Sequence, residues 1–330
     1  MSDLPPVAPA LPARPSRSQR LLRREAAALP ADGTNYIRFL RGSRPRWWRG
    51  ALGLVLAMVT YLVVTTVVAG VVFLTIGPLG GVDGTWFPHV ALLINLAAVA
   101  AMLPVVLLVH RWVFGVRARW LHSVEGRFRW GIALKAGLIA VVPLVLVAAV
   151  PLVWEGTPPH PDLSAAAIVG VVGAVMLVPF QSAAEEYLVR GLVARSTGSW
   201  MRAPWAGLTV SVLTSSVFFA LLHANLLPGP MIYYVLFAAL LWLLAWRTGG
   251  LEAAVAVHAV FNTVNFVVSF LYAQPVTVST SITSANQFES LWALIPVAVG
   301  VAIILWWFRR TGVNRSFRRT HTGAHTHGEE

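Results

Sequence analysis

Residues Ser164 to Gly191 read SAAAIVGVVGAVMLVPFQSAAEEYLVRG. The first part is apolar, on the scale of the about 20 mostly apolar residues that a spanning helix needs. The last part brings Glu185, Glu186 and Arg190 into the same run. An ionisable residue inside a membrane helix is expensive and marks a functional hypothesis by default. This stretch therefore implies a membrane protein with a polar site inside it.

The rest of the chain agrees. Of its 330 residues, 57% are hydrophobic and 12% charged, against about 25% charged in soluble domains. Mean hydropathy is +0.70. The expected fold is all-α, a polytopic integral membrane protein with about eight transmembrane helices: Ala51 to Ile76, Phe87 to His110, Gly131 to Trp154, Ser164 to Val193, Trp205 to Leu226, Pro230 to Trp246, Leu251 to Tyr272 and Leu291 to Phe308. The formal charge of +12 is nearly all arginine, Lys135 being the only lysine. Because the arginines flank apolar spans, they point to anionic membrane lipid and not to nucleic acid. The absence of cysteine excludes disulfides, thiol nucleophiles and thiolate metal sites.

Arginine also suggests orientation. The N-terminal arm, the loop after the second span, the segment holding Arg190, Arg195 and Arg202, Arg247, and the C-terminal segment are basic, while the alternate loops hold no arginine. This positive-inside pattern predicts both termini in the cytoplasm, in a bacterial cytoplasmic membrane. Residues 1–49 read as a disordered basic arm with no secretory signal peptide. Residues 50–163 carry the first three spans and 164–272 the core. Residues 273–310 hold the last span and 311–330 a disordered His/Arg tail, where His321, His325 and His327 are expected to be solvated.

Four polar places fall within the spans. Glu186 and Arg190 are four residues apart, so they share a helix face and can pair. Glu185 lies about 100° round the helix and stays free of that pair. His258 and Asn262 are also four apart and belong to a stripe with Gly250 and Ala254, whose small residues admit a neighbouring helix. Phe219 and His223 repeat the spacing. A carboxylate poised toward neutrality suits a general base, a neighbouring histidine can hold the same water, and an asparagine amide suits an oxyanion hole. Simpler readings apply elsewhere: Glu252 at a helix N-terminus, Asn225 and Asn265 as packing or capping groups, His89 and His110 at the interface.

These residues resemble the signature of the CPBP family, the CAAX proteases and bacteriocin-processing enzymes also called Abi. The family shows EExxxR, then FxxxH, then HxxxN or HxxxD on separate helices. Here they are Glu185-Glu186-Tyr187-Leu188-Val189-Arg190, Phe219-Ala220-Leu221-Leu222-His223 and His258-Ala259-Val260-Phe261-Asn262. The resemblance covers roughly Ser164 to Tyr272. It implies an intramembrane endopeptidase, a hydrolase, acting on a peptide or membrane-protein substrate. Glu185 and His223 would activate water, His258 and Asn262 would stabilise the oxyanion, and Glu186, Arg190 and Phe219 would support the site. Such enzymes are commonly labelled metalloproteases, and Glu185, His223 and His258 could be three zinc ligands. The favoured mechanism is a glutamate type that requires no cofactor. The alternative function is an inactive membrane scaffold or regulator of the same fold; a transporter using Glu185 as a proton site ranks third.

Other intramembrane protease chemistries lack their residues. There is no HExxH, no GxSG, and Asp3, Asp32, Asp83 and Asp162 all fall outside the spans. One geometric demand follows: for Glu185 and His223 to meet in depth, the fourth helix must continue well past Arg190, or the fifth must tilt or start deeper.

Overall fold

The computed structural model describes residues 16, 25–42, 47–71, 74, 86–154, 160–272 and 288–319. Among these the regular structure is helical: α1 (Trp47–Val71), α2 (Trp86–Ala100), α3 (Met102–Phe114), α4 (Arg119–His122), α5 (Trp130–Trp154), α6 (Ala165–Glu186), a π-helical segment (Tyr187–Ala194), α7 (Arg195–Trp200), α8 (Pro204–Leu222), α9 (Pro228–Thr248), α10 (Glu252–Tyr272) and α11 (Leu294–Arg310). By length and composition, seven of the described helical stretches can cross a membrane, and Trp130–Leu146 is a shorter apolar helix. The chain is an all-α polytopic membrane protein.

Local chemistry sets the boundaries. The Ser164 hydroxyl accepts from the Ala167 amide at 3.2 Å and caps α6. Pro228 opens α9, where a missing N–H costs nothing, and Gly249 closes it with φ +71°. The span expected over Phe87 to His110 is two helices broken at Ala101, because Pro104 cannot donate a helical hydrogen bond in the first turn of α3. α8 stops at Leu222, earlier than expected. His223 is its C-cap, Ala224 has φ +53°, and the Asn225 side chain accepts from the Leu227 amide at 3.2 Å.

α6 is the central strut, packed on α2 and α10, and α10 in turn packs on α5. Small residues permit this. A Cβ on Gly170 would lie 2.7 Å from the Phe270 ring of α10, and one on Gly173 would lie 2.6 Å from Leu93 of α2. Ile168, Val172, Met176 and Phe180 on α6 remain exposed, as expected for side chains that meet lipid.

The helix of α6 does not end at Arg190. It runs through the π segment and α7 to Trp200. From Glu185 to Trp200 the rise is roughly 22 Å, and α8 climbs back roughly 28 Å before His223, at about 1.5 Å per residue. The two side chains thus reach similar depth, which meets the demand set by the sequence.

Three expectations need correction. Residues 25–42 and 311–319 are not disordered: Asn35 bridges to Ser316, Tyr36, Ile37, Phe39 and Phe317 are buried, and the Tyr36 hydroxyl donates to the Leu121 carbonyl at 2.6 Å. A short apolar cluster, YIRFL, is enough to anchor a segment whose average composition is polar. Trp47 to Arg49 of the expected arm open α1; apart from residue 16, the rest of the arm and the tail histidines lie outside the described residues. Arg195, expected beyond the fourth span, is not a loop arginine, since it is fully buried and lies between the rings of Tyr36 and Phe39, 4.7 and 4.6 Å from their centroids. His110 is fully buried and so is not interfacial.

Glu252 is a buried partner and more than a helix-start carboxylate. Its two oxygens accept from Arg129 Nε and Nη2, each at 2.8 Å. Glu252→Ala, which would leave the buried guanidinium with only the longer contact to Glu125 at 3.6 Å, is expected to cost about 3 kcal/mol, read as a lowered melting temperature in detergent. A milder pH effect arises at His122, outside the spans and beside the Tyr187 hydroxyl, where burial lowers the imidazole pKa below its ordinary 6.5. The unfolded chain therefore takes up the proton first as pH falls through 6.5. Stability should drop from pH 7 toward pH 5.5, and His122→Gln should flatten that slope in thermal melts.

Candidate active site

Glu186 occupies the last turn of α6, where the wider π turn begins at Tyr187. Its Oε1 accepts from Arg190 Nη1 at 2.8 Å and faces His258 Nδ1 at 2.8 Å. All three residues are buried. Arg190 also donates from Nη2 to the Ala238 carbonyl at 2.9 Å, and its guanidinium carbon lies 4.9 Å from the Phe219 ring centroid. The expected Glu186–Arg190 pair is present, with His258 as an additional partner.

That contact fixes the imidazole. A carboxylate paired with arginine is an acceptor, so His258 Nδ1 carries the proton. His258 Nε2 then turns toward Glu185, 3.6 Å from its Oε2. The rings of Phe237 and Phe219 meet the imidazole at 5.3 and 5.8 Å between centroids.

Glu185 is set differently from its neighbour. Its Oε1 accepts from Gln181 Nε2, and among the described residues its buried Oε2 has no hydrogen-bond partner. Gln181 Oε1 in turn accepts from Asn262 Nδ2 at 3.2 Å. One amide of α6 thereby positions the free carboxylate and the asparagine of α10 together.

His223 completes the group. Its Nδ1 lies 2.8 Å from the Phe219 carbonyl. A carbonyl only accepts, so Nδ1 holds the proton and Nε2 is left as a basic lone pair in the neutral ring. Tyr234 stacks on this imidazole at 3.8 Å between centroids.

Glu185, His223, His258 and Asn262 all line one cavity of about 610 Å³. Its other walls include Tyr61, Leu92, Leu96, Val99 and Phe266, so a few polar groups converge in a mostly apolar chamber. Glu186 and Arg190 stand behind the wall and Phe219 forms part of it. Among the described residues no three His, Asp or Glu side chains converge as a metal-holding group; the Nδ1 atoms of both histidines are engaged, which leaves their Nε2 atoms open.

Residues 164–264 match the family described as type II CAAX prenyl endopeptidase Rce1-like. This is the CAAX-protease grouping that the three motifs resemble, and at the level of the family it supports an intramembrane protease, a hydrolase with a peptide or protein substrate. Neither the comparison with curated proteins nor that with solved structures gave a match.

Two site residues were missed from sequence. Gln181 is four residues before Glu185, a helical spacing that could have flagged it. Tyr234 carries no such signal, because only the turn between α8 and α9 brings it against His223. Removing Arg190 alone, as in Arg190→Ala, is expected to destabilise by about 3–5 kcal/mol by stranding the Glu186 charge. The double variant Glu186→Leu with Arg190→Leu should recover part of that loss in the same thermal melt.

Proposed function

We propose that this protein is an intramembrane endopeptidase of glutamate type. The observation that carries the reading is the unpartnered Oε2 of Glu185, held in a cavity with His223, His258 and Asn262. A water held between Glu185 and His223 attacks the scissile carbonyl carbon. Its proton passes to the Glu185 carboxylate, with the His223 Nε2 lone pair holding the water in line. The oxyanion receives an N–H of Asn262 other than the one given to Gln181. It also receives Nε2 of His258, which must then carry a second proton; two carboxylates against one arginine accommodate that cation. As the C–N bond breaks, Glu185 returns the proton to the leaving amine.

The substrate is a peptide or membrane-protein terminus with an apolar segment, matched to the apolar walls of the cavity. The family's printed description names a prenyl endopeptidase, and a lipidated peptide suits the same walls. Reading the arginine distribution as positive-inside puts both termini and the substrate terminus on the cytoplasmic side.

Glu185→Gln is expected to lower cleavage of a quenched peptide library by at least about 100-fold, and Asn262→Ala by about 100-fold, with melting temperatures kept near wild type. His223→Ala should fall with Glu185→Gln, and a chelator should leave wild-type activity unchanged. Retained cleavage in Glu185→Gln would sink the proposal.

A further inference from the structure

A second cavity, of about 210 Å³, lies apart from the first and shares no lining residue with it. Arg41, Ser196, Ser199 and Arg202 line it together with Trp47 and Trp200. Among the described residues no acidic residue does. The two serine residues are at least nine-tenths buried, and among the described residues their hydroxyls have no hydrogen-bond partner. An unpaired buried hydroxyl costs about 1–3 kcal/mol, so two at one cavity wall need an account. Guanidinium groups only donate, and hydroxyls can donate as well. What completes such a lining is an acceptor-rich anion.

The level of the cavity decides which anion. Trp47 begins the apolar helix α1, and Trp200 ends the long apolar helix that starts with α6. Both tryptophans are exposed, the arrangement that marks a bilayer boundary. A phosphate at this level belongs to a headgroup. We propose that this cavity binds the phosphate of an anionic membrane lipid, with Arg202 and Arg41 supplying charge and Ser196 and Ser199 supplying hydroxyl donors. Arg41 also donates to the Met201 carbonyl, and Arg38 donates to the Met201 and Arg202 carbonyls. Bound lipid would therefore brace the turn between α7 and α8, the same turn that sets how deep α8 begins.

The test uses the full-length protein, stripped of lipid in detergent and followed by native mass spectrometry. The probes are dioctanoyl phosphatidylglycerol, dioctanoyl phosphatidylcholine and inorganic phosphate. Phosphatidylglycerol should bind about tenfold tighter than phosphatidylcholine. Arg202→Gln and Ser199→Asp should each weaken phosphatidylglycerol binding by about tenfold, the scale of one lost charge-assisted hydrogen bond. Ser199→Asp fills the site with its own carboxylate; if it does not fold, Ser196→Ala with Ser199→Ala takes its place. Equal binding of the two lipids, or wild-type binding by the variants, would overturn the proposal. Inorganic phosphate binding as tightly as phosphatidylglycerol would identify free phosphate as the ligand and overturn the lipid assignment.

Discussion

The polar core rests on the contact between Glu186 and Arg190. In an apolar surround neither charge is tolerable alone, and even a pair is worthwhile only when its remaining hydrogen-bonding capacity is used. Arg190 uses it on the Ala238 carbonyl of α9 and lies against the Phe219 ring of α8. Glu186 shares its Oε1 with His258 of α10, while its Oε2 and Arg190 Nε have no hydrogen-bond partner among the described residues. One ion pair thus ties α6 to three other helices, and it does so at the level where Glu185 faces the cavity. The adjacent glutamates divide the work by position: among the described residues each keeps one oxygen without a hydrogen-bond partner, but only Glu185 lines the cavity, while Glu186 holds the helices together.

Proton placement follows from this division. Each histidine has its Nδ1 committed, one to a carboxylate and one to a carbonyl, and each presents Nε2 to the cavity side. Because the committed partners differ in charge, the two rings are not equivalent. His258 lies between two carboxylates, with Nδ1 on Glu186 and Nε2 3.6 Å from Glu185 Oε2. His223, capped by a neutral carbonyl and stacked on Tyr234, is suited to remain a lone-pair acceptor. In the proposed mechanism the same residue type takes opposite roles, donor and acceptor, across one cavity.

The long helix from α6 through the π segment to Trp200 is the second constraint. It carries the chain deep enough for α8 to return with His223 level with Glu185. The C-terminal end of this strut is held from outside the bundle, by Tyr36 and Phe39 around Arg195, with Phe317 packed against Phe39 and Trp120. The segments that flank the apolar helices are therefore part of the same structure.

Much was legible in the sequence alone. Helical spacing of four paired Glu186 with Arg190 and set Glu185 apart, because the side-chain direction of a helix is a local property. Apolar run length determined the membrane-spanning class, and three motifs marked the family grouping of residues 164–264. What only the tertiary structure decided was everything that depends on two helices meeting. The bridge of Gln181 between Glu185 and Asn262, the commitment of His258 Nδ1 to Glu186, and the stacking of Tyr234 on His223 join residues without any shared sequence period. The burial of Arg195 is similar: an arginine after an apolar run reads as an interfacial charge, and becomes a core residue only when Tyr36 and Phe39, some 160 residues away, fold over it. Periodicity along one helix reports which face a residue takes, and the partner on that face is set by packing.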